Sequence, residues 1–94
     1  MPRLRYSAKA KEDLKSIARY IANDNPTAAR RWAAKLKAKC RLASQRPNSG
    51  EDRSDLADGV RATYVGRYII FFREREGWLE IIRIVAGDLE FPFR

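Results

Sequence analysis

The stretch from Val60 to Ala86, VRATYVGRYIIFFREREGWLEIIRIVA, constrains the fold more than any other part of the chain. Its β-branched and aromatic runs, Val60–Tyr64, Tyr68–Arg73 and Leu79–Ala86, read as three short strands. Gly66 and Gly77 punctuate them, and two-residue turns at Gly66-Arg67 and Glu76-Gly77 make two hairpins. That register pairs Tyr64 with Ile69, Ala62 with Phe71, Phe71 with Ile82 and Ile69 with Ile84. These residues form one apolar face, and Ile69, Phe71, Ile82 and Ile84 on it are expected against Leu14, Ile17, Trp32 or Leu36 of a helical pair upstream. Arg73 is expected opposite Glu80, a favourable cross-strand charge pair. The other face would carry Arg61, Thr63, Ile70, Phe72, Ile81, Arg83 and Val85. It too is mostly apolar, so it needs a cover of its own: the C-terminal tail, a loop or a partner.

Upstream, Arg3–Tyr6 alternates and predicts a short strand that joins the sheet. Ser7 is a good helix N-cap, and Ala10, Leu14, Ile17, Ala18 and Ile21 recur at helical spacing over Ala8–Ala22. Asn23-Asp24-Asn25 ends that helix, and Pro26 opens a second one to about Ser44. Its stripe is Ala29, Trp32, Ala33, Leu36, Cys40 and Ala43. So short a connection forces an antiparallel helical hairpin. The fold class that follows is α+β, with the hairpin on one face of a small antiparallel sheet in the order βααβββ. Arg46–Gly59 reads as a loop anchored by Leu56, and the final GDLEFPFR is a short tail carrying Phe91 and Phe93.

Ninety-four residues are expected to make one domain, 1–94. No apolar run spans a membrane, the first residues lack the apolar centre of a signal peptide, and Cys40 stands alone. A cytoplasmic setting without a disulfide framework is therefore expected, with Cys40 a core residue. The net charge of +8 draws polyanions, either nucleic acid or an acidic protein. From Asn25 to Gly50 there is no acidic residue, while Arg30, Arg31, Lys35, Lys37, Lys39, Arg41 and Arg46 are basic. With no histidine, the commonest general acid–base group and metal ligand is missing, and no metal or cofactor is expected.

The ordered set Ala10, Asp13-Leu14, Ile17, Tyr20-Ile21, then Asn25-Pro26, Arg46-Pro47, VRATYVGRYIIFFRE and LEIIRIVAG resembles the RelE/ParE toxin superfamily, nearest its ParE branch. The resemblance implies a type II toxin neutralised by an acidic ParD-like antitoxin, and inhibition of DNA gyrase by binding. RelE-like relatives instead cut mRNA on the ribosome, and a non-toxic nucleic-acid-binding module is a third reading. Many ParE-like chains read His-Gly-Ala-Arg-Asp where this one has Ala86-Gly87-Asp88. On these grounds Arg61, Arg83, Phe91 and Phe93 are the expected target-binding residues. Trp32, Leu36, Ile70 and Ile81 are the expected antitoxin contacts. No catalytic residue is assigned, and direct nucleic-acid binding is allowed but not required.

Overall fold

The computed structural model describes residues 2–87, so Phe91 and Phe93 lie outside the described residues. The elements are β1 (Arg3–Tyr6), α1 (Ala8–Ala22), α2 (Pro26–Gln45), β2 (Glu51–Asp52), β3 (Arg61–Val65), β4 (Tyr68–Arg75) and β5 (Trp78–Ala86). The sheet order is β1-β5-β4-β3-β2. It is antiparallel except for β1, which lies parallel to β5 with Arg3 beside Trp78 and Tyr6 beside Ile81. That parallel edge is possible because the helical hairpin supplies the long crossover a parallel pair needs. The α+β arrangement is the expected one, with β2 as a two-residue addition.

Both helices start where local chemistry dictates. The Ser7 hydroxyl accepts the Ala10 N–H at 3.0 Å and donates to the Ile82 carbonyl at 2.7 Å, so one side chain caps α1 and ties it to the sheet. The Asn25 side chain accepts the Ala28 N–H, and Pro26 occupies the first turn of α2. At the 75–78 hairpin, Glu76 and Gly77 both have positive φ, the geometry that matches strand twist. At Gly66, φ is +57° and a Cβ would lie 2.7 Å from the tip of the Trp32 ring. A side chain there would push Trp32 out of its place against Tyr68.

The register of β3 on β4 is as expected, with Ala62 opposite Phe71 and Tyr64 opposite Ile69, and Arg73 does face Glu80. Beyond that point β5 departs from the expectation. A bulge between Phe71 and Phe72 leaves Ile82 unpaired, so Phe71 faces Arg83 rather than Ile82, and Ile69 faces Val85 rather than Ile84.

The assignment of faces is also corrected. The core under the helices is built by Tyr68, Ile70, Phe72, Leu79, Ile81 and Ile84 with Ala10, Leu36, Cys40 and Ala43. Ile69 and Phe71 belong to a second cluster on the opposite face, with Val60, Ala62, Ile82 and Val85. Alternation tells which residues share a face, and both faces of β4 are apolar, so it does not tell which face the helices choose. Leu79, Ile81 and Tyr68 decide it, because they extend the Ile70–Phe72 row and none of them was counted on the core side. The loop between β2 and β3 covers the second cluster through Leu56 and Ala57. It is closed by the Arg53 N–H, which donates to the Val60 carbonyl at 2.8 Å. Of the three covers considered, a loop is the one that the described residues place over this part of the face.

Candidate functional site

Strand β5 outruns its neighbour. β1 ends at Tyr6, opposite Ile81, while β5 continues to Ala86. The freed edge is completed by α1 and its cap rather than by a strand. The Ser7 N–H donates to the Ile81 carbonyl, and the Ser7 hydroxyl donates to that of Ile82. Asp13 Oδ2 accepts the Ile84 N–H at 2.9 Å. The same carboxylate receives Arg83 in a two-pronged pair, 2.8 Å from Nε and 3.0 Å from the terminal nitrogen. Those hydrogen bonds hold the Arg83 guanidinium even more firmly protonated than an ordinary arginine.

Beside this clamp lies an apolar groove of about 360 Å³ between α1 and the end of the sheet. Ile17, Tyr20, Tyr68, Val85 and Ala86 line it, with Arg67 and Arg83 at its rim. Tyr20 is 67% exposed, the largest value among the big apolar side chains of the described residues. A second groove, about 430 Å³, runs along the helical hairpin over Tyr6, Leu14, Ala18 and Ala33, bordered by Lys11, Lys15 and Lys37.

Of the residues expected to meet an antitoxin, Leu36, Ile70 and Ile81 are fully buried in the core under the helices and offer no surface. The cause is the inverted face assignment, which had placed Ile70 and Ile81 on the uncovered side. Trp32 keeps partial exposure. Its ring packs edge-on against Tyr68 at 5.5 Å and carries Lys35 Nζ at 4.9 Å.

The two arginines expected on one target-binding face do not share a face. Arg61 pairs with Phe72 and Arg83 with Phe71, on opposite sides of β4, because the bulge intervenes. Arg61 reaches back to the loop after α2, donating to the carbonyls of Ser49 at 2.7 Å and Gly50 at 2.9 Å. Each arginine thus holds part of the fold in place.

Tyr64, expected in the core, is half exposed instead. Its hydroxyl donates to Glu51 at 2.8 Å, and that hydrogen bond raises the phenol above its usual range. Arg53 lies near and forms a two-pronged pair with Asp55. Two features were missed in the sequence, the Asp13 clamp and this Tyr64–Glu51 pair. Asp13 did leave a signal, since it is an acid three residues from Ala10 and four from Ile17 on the buried stripe of a basic helix. Glu51 left none, as its two-residue strand lies in a stretch whose sequence has no periodicity. Among the described residues, no His, Cys, Asp or Glu group is arranged to hold a metal. Among them, too, no helix is long and apolar enough to cross a membrane.

The sequence model described as the ParE toxin of type II toxin–antitoxin systems, parDE, matches residues 4–88. The chain belongs to the ParE toxin family. Among solved structures it is similar to one described as a chromosomal ParDE toxin–antitoxin system from P. aeruginosa. The identity is 24%, the TM-score 0.80, and the match covers 94% of this chain and 98% of that one. At that identity the likeness establishes the fold. A search of curated proteins found no match. As a ParE-family toxin the chain has an antitoxin as partner.

Proposed function

We propose that this ParE-family toxin is neutralised in the cytoplasm by an acidic ParD-like antitoxin, and that the free protein inhibits DNA gyrase by binding, without covalent chemistry of its own. One observation carries the target half of this reading. The chain has no histidine, and both arginines first assigned to the target are engaged within the fold, Arg61 by two backbone carbonyls and Arg83 by Asp13. An RNA-cleaving centre needs a base, an acid and a free cation at the phosphate, and neither arginine stands beside such a set. The antitoxin half rests on the hairpin groove, whose apolar floor between Lys11, Lys15 and Lys37 suits an acidic amphipathic segment. Trp32 remains the one antitoxin contact of the original four with surface to offer.

Purified toxin should slow gyrase supercoiling or trap cleaved DNA, and leave ribosome-bound mRNA intact at the same concentration. Codon-specific cuts in mRNA with normal supercoiling would reverse the assignment. A second reading, as a ribosome-dependent mRNA interferase, draws on Tyr64 and Glu51, two proton-exchanging groups 2.8 Å apart near Arg53. If it holds, Glu51→Gln removes the cleavage. For the antitoxin, association should slow with added salt, because the basic α2 steers an acidic partner.

A further inference from the structure

The loop over Ile69 and Phe71 does not extend over the other half of that sheet face, and no other element among the described residues covers it. Strand alternation places Arg3 and Arg5 of β1, Arg73 and Arg75 of β4, and Trp78 and Glu80 of β5 together there. Their helix-side neighbours Leu4, Leu79 and Ile81 fix the assignment. The guanidinium of Arg3 lies 5.3 Å and that of Arg5 5.1 Å from the centre of the Trp78 ring. Glu80 is the one acid in this group. It stands 3.4 Å from Arg5 Nε without hydrogen-bond geometry, so that buried nitrogen has no hydrogen-bond partner. Arg73 is turned towards the covering loop, where it donates to the Asp58 carbonyl. Among the described residues, Arg3 and Arg75 have no ion-pair partner.

Two guanidiniums held against one indole repel each other, and an anion between them removes that cost. Contact with Trp78 also restrains both groups, so little side-chain freedom is lost on binding. Arg3 and Arg5 are two residues apart on a strand, about 6.7 Å, a spacing of the same order as successive phosphates along a nucleic-acid strand. The flat guanidinium faces give a nucleobase something to stack on, which an acidic peptide has no use for. We infer that this end of the open sheet face binds the phosphate backbone of a nucleic acid. The site is separate from both grooves and from the Arg83 clamp, and it does not depend on gyrase being the target.

The test is fluorescence anisotropy of a short labelled DNA duplex, and of its single strand, titrated with toxin over a range of salt. The wild-type chain should bind with a steep salt dependence. Arg3→Gln/Arg5→Gln/Arg75→Gln should weaken binding to all sequences, and the slope of log K against log salt should fall by about one for each arginine removed. Arg75→Gln alone leaves every described contact intact, and should lower the slope by about one even if the triple variant folds poorly. A matched removal of helix charge, Arg30→Gln/Arg31→Gln/Lys37→Gln, should matter less. Three results each overturn the inference: an unchanged slope in the Arg75 variant, an equal or larger loss in the helix variant, or polyglutamate displacing the DNA as well as unlabelled DNA does.

Discussion

The two faces of the sheet are covered in different ways. On one, two capped helices lie over Ile70, Phe72, Leu79, Ile81 and Ile84, and the residues from α1 and α2 are themselves buried. On the other, a seven-residue loop segment over 53–59 covers a smaller cluster around Phe71, and the rest of the face is left to arginines. Phe71 and Phe72 are nonetheless equally buried, both at 0% exposure. Complete burial of a side chain therefore does not require a regular element above it. A loop suffices when its ends are tied, here by Arg53 to Val60, and when Arg73 reaches the carbonyl of Asp58 within it.

The comparison has a direct test. Phe72→Ala should cost about 3–5 kcal/mol in urea unfolding, the range for a buried aromatic under a rigid cover. Phe71→Ala should cost less, about 3 kcal/mol, because a loop can settle into the space and a helical hairpin cannot. Equal losses would mean the loop is as rigid as the helices. Next in size is Asp13→Ala, expected to cost about 2–3 kcal/mol since it strips partners from Arg83 and from the Ile84 N–H together. Hydrogen exchange should then speed up at Ile84 while Phe71 stays protected. Arg61→Ala should cost about 1–2 kcal/mol and loosen the Ser49–Gly50 segment that follows α2, with α1 unaffected.

The smallest effect is expected from alkali and belongs to the helix face. Burial pushes the Cys40 thiol from 9.0 up to about 11, opposed by a hydrogen bond from Tyr6 and by Arg41. Burial also raises the Tyr6 hydroxyl. Both groups are acids favoured neutral in the folded state. Their contribution is fully present below the unfolded values and is lost as pH rises towards the folded ones. Thermal midpoints should therefore hold up to about pH 9 and decline above it. Cys40→Ala should flatten that decline, and an unchanged decline would assign it elsewhere.

Much of this fold was legible in local chemistry. The caps at Ser7 and Asn25, the turns at Gly66 and Glu76-Gly77, and the Arg73–Glu80 pair each follow from neighbours in sequence. The side chosen by the helices did not follow, because β4 is apolar on both sides and the choice depends on Leu79 and Tyr68 packing across strands. The candidate site was read less well for the same reason. Ile70 and Ile81 were placed at a surface by a face assignment that tertiary packing reversed, and Leu36, expected at the rim of the hairpin, is fully covered by the core. Tyr64 was drawn into the core by its apolar ring, when its hydroxyl has a better partner in Glu51.

The unpaired Ile82 acts as a phase shift within a single strand. Up to Ile81, β5 keeps one beat with β4, and beyond it the beat is displaced by a residue, so Phe71 meets Arg83. Deleting Ile82 would remove that offset without giving its neighbours new partners, since Arg83 would still meet Phe71 and Ile84 would still meet Ile70. It would take away the carbonyl that receives the Ser7 hydroxyl and a side chain of the loop-covered cluster. A deletion elsewhere in β5, with no spare residue to absorb it, would instead turn every later side chain to the opposite face.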